Sequence, residues 1–197
     1  MKKLLITAAT SLYMISANAQ VNWKVDGSHS KLGFSVTHLM VSETEGKFKV
    51  YEGSVISKSE MDFTDAKIEF TADVASINTE DDKRDGHLKS ADFFDAAKYP
   101  KITFKSISMK QSGKSKTTYI LTGDLTMHGV TKKVTLTAVG ASKVMKDPYG
   151  NIKNGFKVTG TLNRKDFGLT WNMALESGGV IVSDEVKIDI NIELNKA

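Results

Sequence analysis

VKIDINIEL, residues 186–194, puts Val186, Ile188, Ile190, Ile192 and Leu194 on one side of an extended chain and Lys187, Asp189, Asn191 and Glu193 on the other. Successive side chains of a strand point to opposite faces, so a strict period of two means one face buried and one wet. AKIEFTADV at 66–74 repeats the pattern, with Ala66, Ile68, Phe70, Ala72 and Val74 set against Lys67, Glu69, Thr71 and Asp73. The same alternation runs through Leu32-Phe34-Val36, Phe48-Val50, Ile102-Phe104, Tyr119-Leu121-Gly123-Leu125-Met127, Val134-Leu136-Ala138-Gly140 and Phe156-Val158-Gly160-Leu162. With residues 21–25 these segments predict about eight or nine strands. Gln111-Ser112-Gly113, His128-Gly129 and Asp147-Pro148-Tyr149-Gly150-Asn151 carry turn chemistry between several of them, which predicts hairpins and an antiparallel meander.

One-sided strands in this number either face each other as a sandwich or close on themselves as a barrel. Ala72, Gly123, Ala138, Gly140 and Gly160 fall in phase with the buried faces, where a sandwich core would want bulk. Small inward residues favour a barrel around a cavity made apolar by the surrounding Phe, Leu and Ile. The alternative is that the glycines mark bulges or tight bends. Two segments break the rhythm: a charged, helix-compatible stretch at 78–99 that ends in Phe93-Phe94 and Tyr99-Pro100, and 163–179 with its Gly178-Gly179 turn. Long connections of this kind commonly form lids or mouths.

The expected ligand-binding wall takes Phe34, Val36, His38 and Phe48 from the first strands and Phe70 and Phe104 from the middle ones. Leu121, Leu125, Leu136, Ala138, Gly140, Ile188 and Ile190 come from the later strands, and Arg84, His87, Phe93, Phe94 and Trp171 from the two excursions.

The 197-residue chain begins with Lys2 and Lys3, an apolar run from Leu4 to Ile15 and the small-residue site Ala17-Asn18-Ala19. This reads as a secretory signal peptide cut after Ala19, too short in its apolar part to span a bilayer. Its removal leaves 25 basic against 23 acidic residues, a nearly neutral domain over 20–197 with no concentrated basic stripe for nucleic acid. The chain has no cysteine, which excludes disulfides, thiolate nucleophiles and cysteine-bound metals. Export without cysteine fits a periplasm.

Asp81-Asp82-Lys83-Arg84-Asp85-Gly86-His87-Leu88-Lys89-Ser90-Ala91-Asp92 imitates a calcium loop, with acids at places one, five and twelve and glycine at six. Lys83 stands where the third ligand oxygen belongs, so the stretch reads instead as a helical turn beside the mouth. Arg84, Asp85 and His87 then either tie the helix to its neighbours or hold the polar head of a ligand. His29 and His38 flank a strand and His128 sits in a turn, without the paired spacing of a zinc motif. GxSxG, the phosphate loop and GxGxxG are absent, so no cofactor is expected, and the carboxylates alternate outward without a glycosidase pair, so the enzyme case is weak.

In order along the chain, Trp23-Lys24-Val25-Asp26, Phe34-Ser35-Val36-Thr37-His38, Arg84-Asp85-Gly86-His87-Leu88, Asp92-Phe93-Phe94-Asp95 and Tyr99-Pro100 are followed by Gly123-Asp124-Leu125-Thr126-Met127-His128-Gly129 and Arg164-Lys165-Asp166-Phe167-Gly168-Leu169. This series resembles the YceI-like family of polyisoprenoid-binding periplasmic proteins. The resemblance implies an all-β fold, an extended antiparallel eight-stranded lipocalin-like barrel, holding a long amphipathic lipid such as a polyprenyl phosphate or an isoprenoid quinone, without catalytic residues or a required metal. Asn78-Thr79-Glu80-Asp81 departs from the Asp and Gly common in that segment of the family. The expected function is binding or transport of such a lipid by a monomer or homodimer. The rivals are an enzyme using His87, Asp85 or His38 at the mouth, and a stress-protective module.

Overall fold

The computed structural model describes residues 20–174 and 178–197; the leader expected at 1–19 lies outside the described residues. In chain order the strands are β1 (Val21–Val25), β2 (Lys31–His38), β3 (Ser42–Phe48), β4 (Tyr51–Ser57), β5 (Lys67–Asp73) and β6 (Ile77–Asn78). Helix α1 (Asp82–Lys89) precedes β7 (Lys101–Gln111), β8 (Thr118–Met127), β9 (Val130–Gly140), β10 (Met145–Lys146), β11 (Ile152–Asn163) and β12 (Val182–Lys196).

Eight of these strands form the ring β11-β9-β8-β7-β5-β4-β1-β12, closed because β12 pairs back onto β11. Every ladder is antiparallel, and the fold is the expected barrel. The fifteen-residue β12 serves three partners. One edge runs along β11 from Glu185 opposite Asn163 to Asn195 opposite Lys153. The other edge takes β2, with Val182 opposite His38 and Asn191 opposite Lys31, and then β1, with Leu194 opposite Val25. Since β1 is only five residues long, β2 and β3 continue the wall past its end, and β6 borders β3 at Phe48 and Lys47.

One end of the barrel is plugged. Trp23, Phe63, Tyr119, Met109 and Leu194 are buried there, with Phe63 folding in from the β4–β5 connection to meet Trp23 at 5.8 Å and Phe156 at 4.7 Å between ring centres. The Trp23 indole N–H donates to Ser57 Oγ at 2.9 Å, so its one polar atom is satisfied inside the plug. At the opposite end lie α1 and a 3-10 turn, Arg164–Phe167, where the two breaks in the strand rhythm were expected.

Two expectations need correction. Phe48-Val50 is not one strand: β3 stops at Phe48, the chain bends, Val50 faces solvent and β4 begins at Tyr51. The glycines do not open the cavity either. A Cβ on Gly123 would lie 2.3 Å from the Phe104 ring, on Gly140 2.7 Å from the Phe156 ring opposite it, and on Gly160 2.4 Å from Leu136. Each glycine is thus the seat for a large side chain from the next strand, and only Ala72 and Ala138 of the small residues border open space.

The hairpin between β8 and β9 turns through His128 (φ 51) and Gly129 (φ 75), both left-handed as a two-residue turn requires. The hairpin between β2 and β3 places Leu39 (φ 51) and Met40 (φ 61) in the same region, at a cost of about 1–2 kcal/mol for each residue with a Cβ.

Gly123→Ala is expected to lower stability by about 1–3 kcal/mol, because the Phe104 ring lies over the glycine and cannot move without disturbing the barrel wall. Urea unfolding of the single variant and of Gly123→Ala with Phe104→Leu checks this. The second substitution should recover part of the loss, and an unaltered midpoint in the single variant would refute the packing role.

Candidate functional site

The barrel encloses a cavity of about 410 Å³, within the roughly 300–1,000 Å³ range of small-molecule sites. All the residues expected in its wall border it except Gly140. Gly140 lies outside because Phe156 covers it and takes the place at the cavity surface. The strand alternation aims the rest inward: Phe34 and Val36 from β2, Phe70 from β5, Leu121 and Leu125 from β8, Leu136 and Ala138 from β9, and Ile188 and Ile190 from β12. Leu169, Ile181 and Val182 also line it and were not singled out in the sequence, because they lie outside the alternating runs.

Polar side chains gather where the cavity reaches solvent, around α1. Asp81 caps that helix by accepting from the Arg84 N–H at 2.9 Å, and Asp82 and Asp85 occupy the first turn while His87 and Lys89 occupy the last. The acidic stretch at 81–92 is therefore a capped helix rather than an ion loop. His87, Phe93 and Trp171 form an aromatic collar with ring centres 4.9 to 5.1 Å apart. Phe94 stacks edge-on against Phe48 further in.

Arg84 and Asp85 do not pair with each other; they share Thr79. Asp85, only 4% exposed, accepts from the Thr79 N–H at 2.8 Å, the Thr79 hydroxyl at 2.6 Å and the Asn78 amide at 3.3 Å. Arg84 donates from Nε to the same hydroxyl at 2.7 Å and from Nη2 to the Thr79 carbonyl at 2.8 Å. Thr79 thus accepts from one and donates to the other, which sets the hydroxyl proton and orients the guanidinium. Arg84 Nη1 makes no hydrogen bond, and Arg84 no ion pair, among the described residues.

Arg164 is the opposite case. It is 3% exposed, and burial pushes its pKa down. Nε donates to Ser183 O, Nη1 to the carbonyls of Leu169 and Trp171, and Nη2 to Val182 O and Asp184 Oδ1, at 2.7 to 3.5 Å. All five donors are engaged, so Arg164 pins the 164–171 excursion to the start of β12 and has none to spare for a ligand. The sequence offered little sign of this, since its five acceptors are carbonyls and one acid from distant positions.

Of the proposed mouth bases, Asp85 has the Thr79 hydroxyl beside it at 2.6 Å, but that hydroxyl is buried and already engaged by Arg84 Nε. Both Asp85 oxygens are taken, and His87 Nε2 turns outward to Asp92 at 3.4 Å. His38 lines the cavity. His128 holds the Phe167 carbonyl at 3.2 Å, a structural contact. Far from the mouth, Asp26, His29 and Glu193 bring ligand atoms within 4.8 Å of one another. There the Lys153 ammonium lies 3.1 Å from Asp26 and 2.7 Å from Glu193, so a cation already fills the cluster. His29 and Lys153 hold the Asp26 carboxyl far below the usual range, and Asp26 in turn raises His29.

A family model described as a YceI-like domain matches residues 23–194. The UPF0312 protein of Staphylococcus aureus strain bovine RF122 is 40% identical over 175 residues, 88% of this chain and 97% of that protein. Among solved structures, the YceI protein of Campylobacter jejuni is 32% identical with a TM-score of 0.69, over 87% of this chain and 96% of its own. BcnA of Burkholderia cenocepacia is 26% identical with a TM-score of 0.73, over 86% and 98%. A polyisoprenoid binding domain from Saccharophagus degradans shares the fold at 17% identity and a TM-score of 0.62, over 89% and 98%.

The two arginines should separate by substitution. Arg164→Lys leaves buried carbonyls without donors and is expected to lower stability by about 3 kcal/mol or more, whereas Arg84→Lys at an exposed position should cost under about 1 kcal/mol. Chemical denaturation of both variants measures the difference; equal losses would contradict the division of roles.

Proposed function

The chain belongs to the YceI-like family, and from that premise we propose that it binds a long amphipathic lipid, of the polyisoprenoid or isoprenoid-quinone type, as a store or carrier. The observation that carries the reading is the cavity: one end plugged by Trp23 and Phe63, walls almost wholly apolar, and an arginine and a histidine, Arg84 and His87, at the mouth. Such a chamber suits a ligand with a long tail and a small polar head. Each buried methylene contributes about 0.8 kcal/mol, so a long tail supplies affinity without any chemistry. The shared fold with a domain described as polyisoprenoid-binding supports the same class of ligand.

Arg84 is the candidate for the head. Thr79 fixes its Nε and Nη2 and leaves Nη1 for an incoming oxygen, and a planar guanidinium fits a phosphate better than an ammonium would. Phe93, His87 and Trp171 would cover the first units of the tail. Catalysis is less well supported, because the one hydroxyl–carboxylate contact described at the mouth, Thr79 with Asp85, is buried and tied up in positioning Arg84. Residues 1–19 would export the protein to the periplasm, with 20–197 as the single lipid-binding domain.

The test compares Arg84→Gln with wild type for a polyprenyl phosphate and the matching uncharged alcohol. A head-group contact predicts a loss of about tenfold for the phosphate, little change for the alcohol and a nearly constant melting temperature. Parallel loss for both ligands with a large fall in melting temperature would remove Arg84 from the site.

A further inference from the structure

We propose that the tip made by the β2–β3 turn (Leu39, Met40, Val41) and the adjoining Met173 and Val180 docks on the surface of a lipid bilayer and sets the cavity mouth against it. The proposal deepens the lipid-binding reading and rests on it. All five side chains are exposed, Met40 at 69% and Val41 at 83%. They are contiguous: the Leu39 N–H donates to Ile181 O at 2.8 Å, the Ile181 N–H donates to Met173 O at 3.1 Å, and Met40 Sδ packs over Gly179. Other exposed apolar residues, such as Ile107 on β7, Val139 on β9 and Tyr149 in the β10–β11 turn, belong to separate elements, whereas those at the tip are joined by direct contacts.

The backbone makes the cluster more telling. Leu39 and Met40 both have positive φ, where asparagine or glycine would sit without strain, as Gly129 does in the β8–β9 hairpin. Leu39 keeps about two fifths of its surface in water and Met40 about two thirds, and both strain the turn, so packing repays only part of the cost of placing large apolar residues there. Their position supplies the reason. His38, immediately before the turn, lines the cavity, as do Ile181 and Val182, immediately after Val180. An apolar surface therefore runs from the tip into the chamber, and a lipid tail leaving a bilayer would stay out of water along it.

Glu43 is paired with Lys187, and Asp184 with Lys165 and Arg164, so these acids present little net repulsion to anionic headgroups. A second copy of the chain is a poorer occupant. A stable protein interface takes roughly 20–30 residues a side, whereas a narrow apolar tip can enter the headgroup region alone.

The experiment is flotation with vesicles of phosphatidylcholine and phosphatidylglycerol, paired with uptake of a polyprenyl alcohol diluted from ethanol without vesicles. Wild type and the wall control Val139→Asp should float, while Met40→Asp with Val41→Asp should lose vesicle binding at least about tenfold. The double variant should keep its melting temperature, since Asp tolerates the left-handed region better than Met, and should still take up the alcohol from ethanol. Equal flotation of double variant and wild type overturns the proposal, as does a wild type that takes up the alcohol but never floats. Failure of the wild type to take up the alcohol from ethanol overturns the lipid reading and this inference with it.

Discussion

The pairing of β12 with β11 is the constraint on which the molecule depends. Eleven residues of β12, from Glu185 to Asn195, lie opposite eleven of β11, and this ladder turns a strip of strands into a ring. Without it, β11 and β12 would each present an unpaired edge, and the inward faces of all eight strands would open to water. The other edge of β12 holds β2 and then β1, so the same strand also fixes where the short β1 gives way to the longer wall of β2 and β3. Cavity, plug and mouth inherit their positions from that one strand.

Given the closed ring, the two ends differ by chemistry. The plugged end holds its one indole N–H inside, donated by Trp23 to Ser57. The mouth end is built from two arginines treated in opposite ways. Arg164 spends every donor on carbonyls and Asp184 to tie an irregular segment to β12, and it borders the cavity without offering it a hydrogen bond. Arg84 is steered by Thr79, itself locked by buried Asp85, and among the described residues its Nη1 has no acceptor. An apolar chamber with a cation at its entrance that Thr79 orients, and that has no ion pair among the described residues, is what distinguishes this barrel from a merely well-packed one.

The strands were legible wherever one face was buried and the other wet, as in 66–74 and 186–194, because alternation records that geometry directly. His128-Gly129 announced its hairpin through residues that tolerate positive φ; Leu39-Met40 adopts the same conformation and announced nothing, since neither residue is suited to it. The inward phase of Gly123, Gly140 and Gly160 was read correctly but their use was not. A period says which way a missing side chain would have pointed, and is silent on whether Phe104, Phe156 or Leu136 leans across from the next strand to fill the place. Arg84 and Asp85 look like a pair in sequence, yet both bind Thr79, because a helix aims adjacent residues some 100° apart and the 78–79 backbone lies between them.

The central claim is that the chamber is a lipid site rather than a packing defect. Native mass spectrometry of the protein purified from the cells that make it, with extraction and analysis of whatever is released, measures this most directly. The account predicts one amphipathic lipid with an isoprenoid tail per chain, at near-stoichiometric occupancy. A chain that consistently arrives empty, and stays empty when offered such lipids, would contradict it.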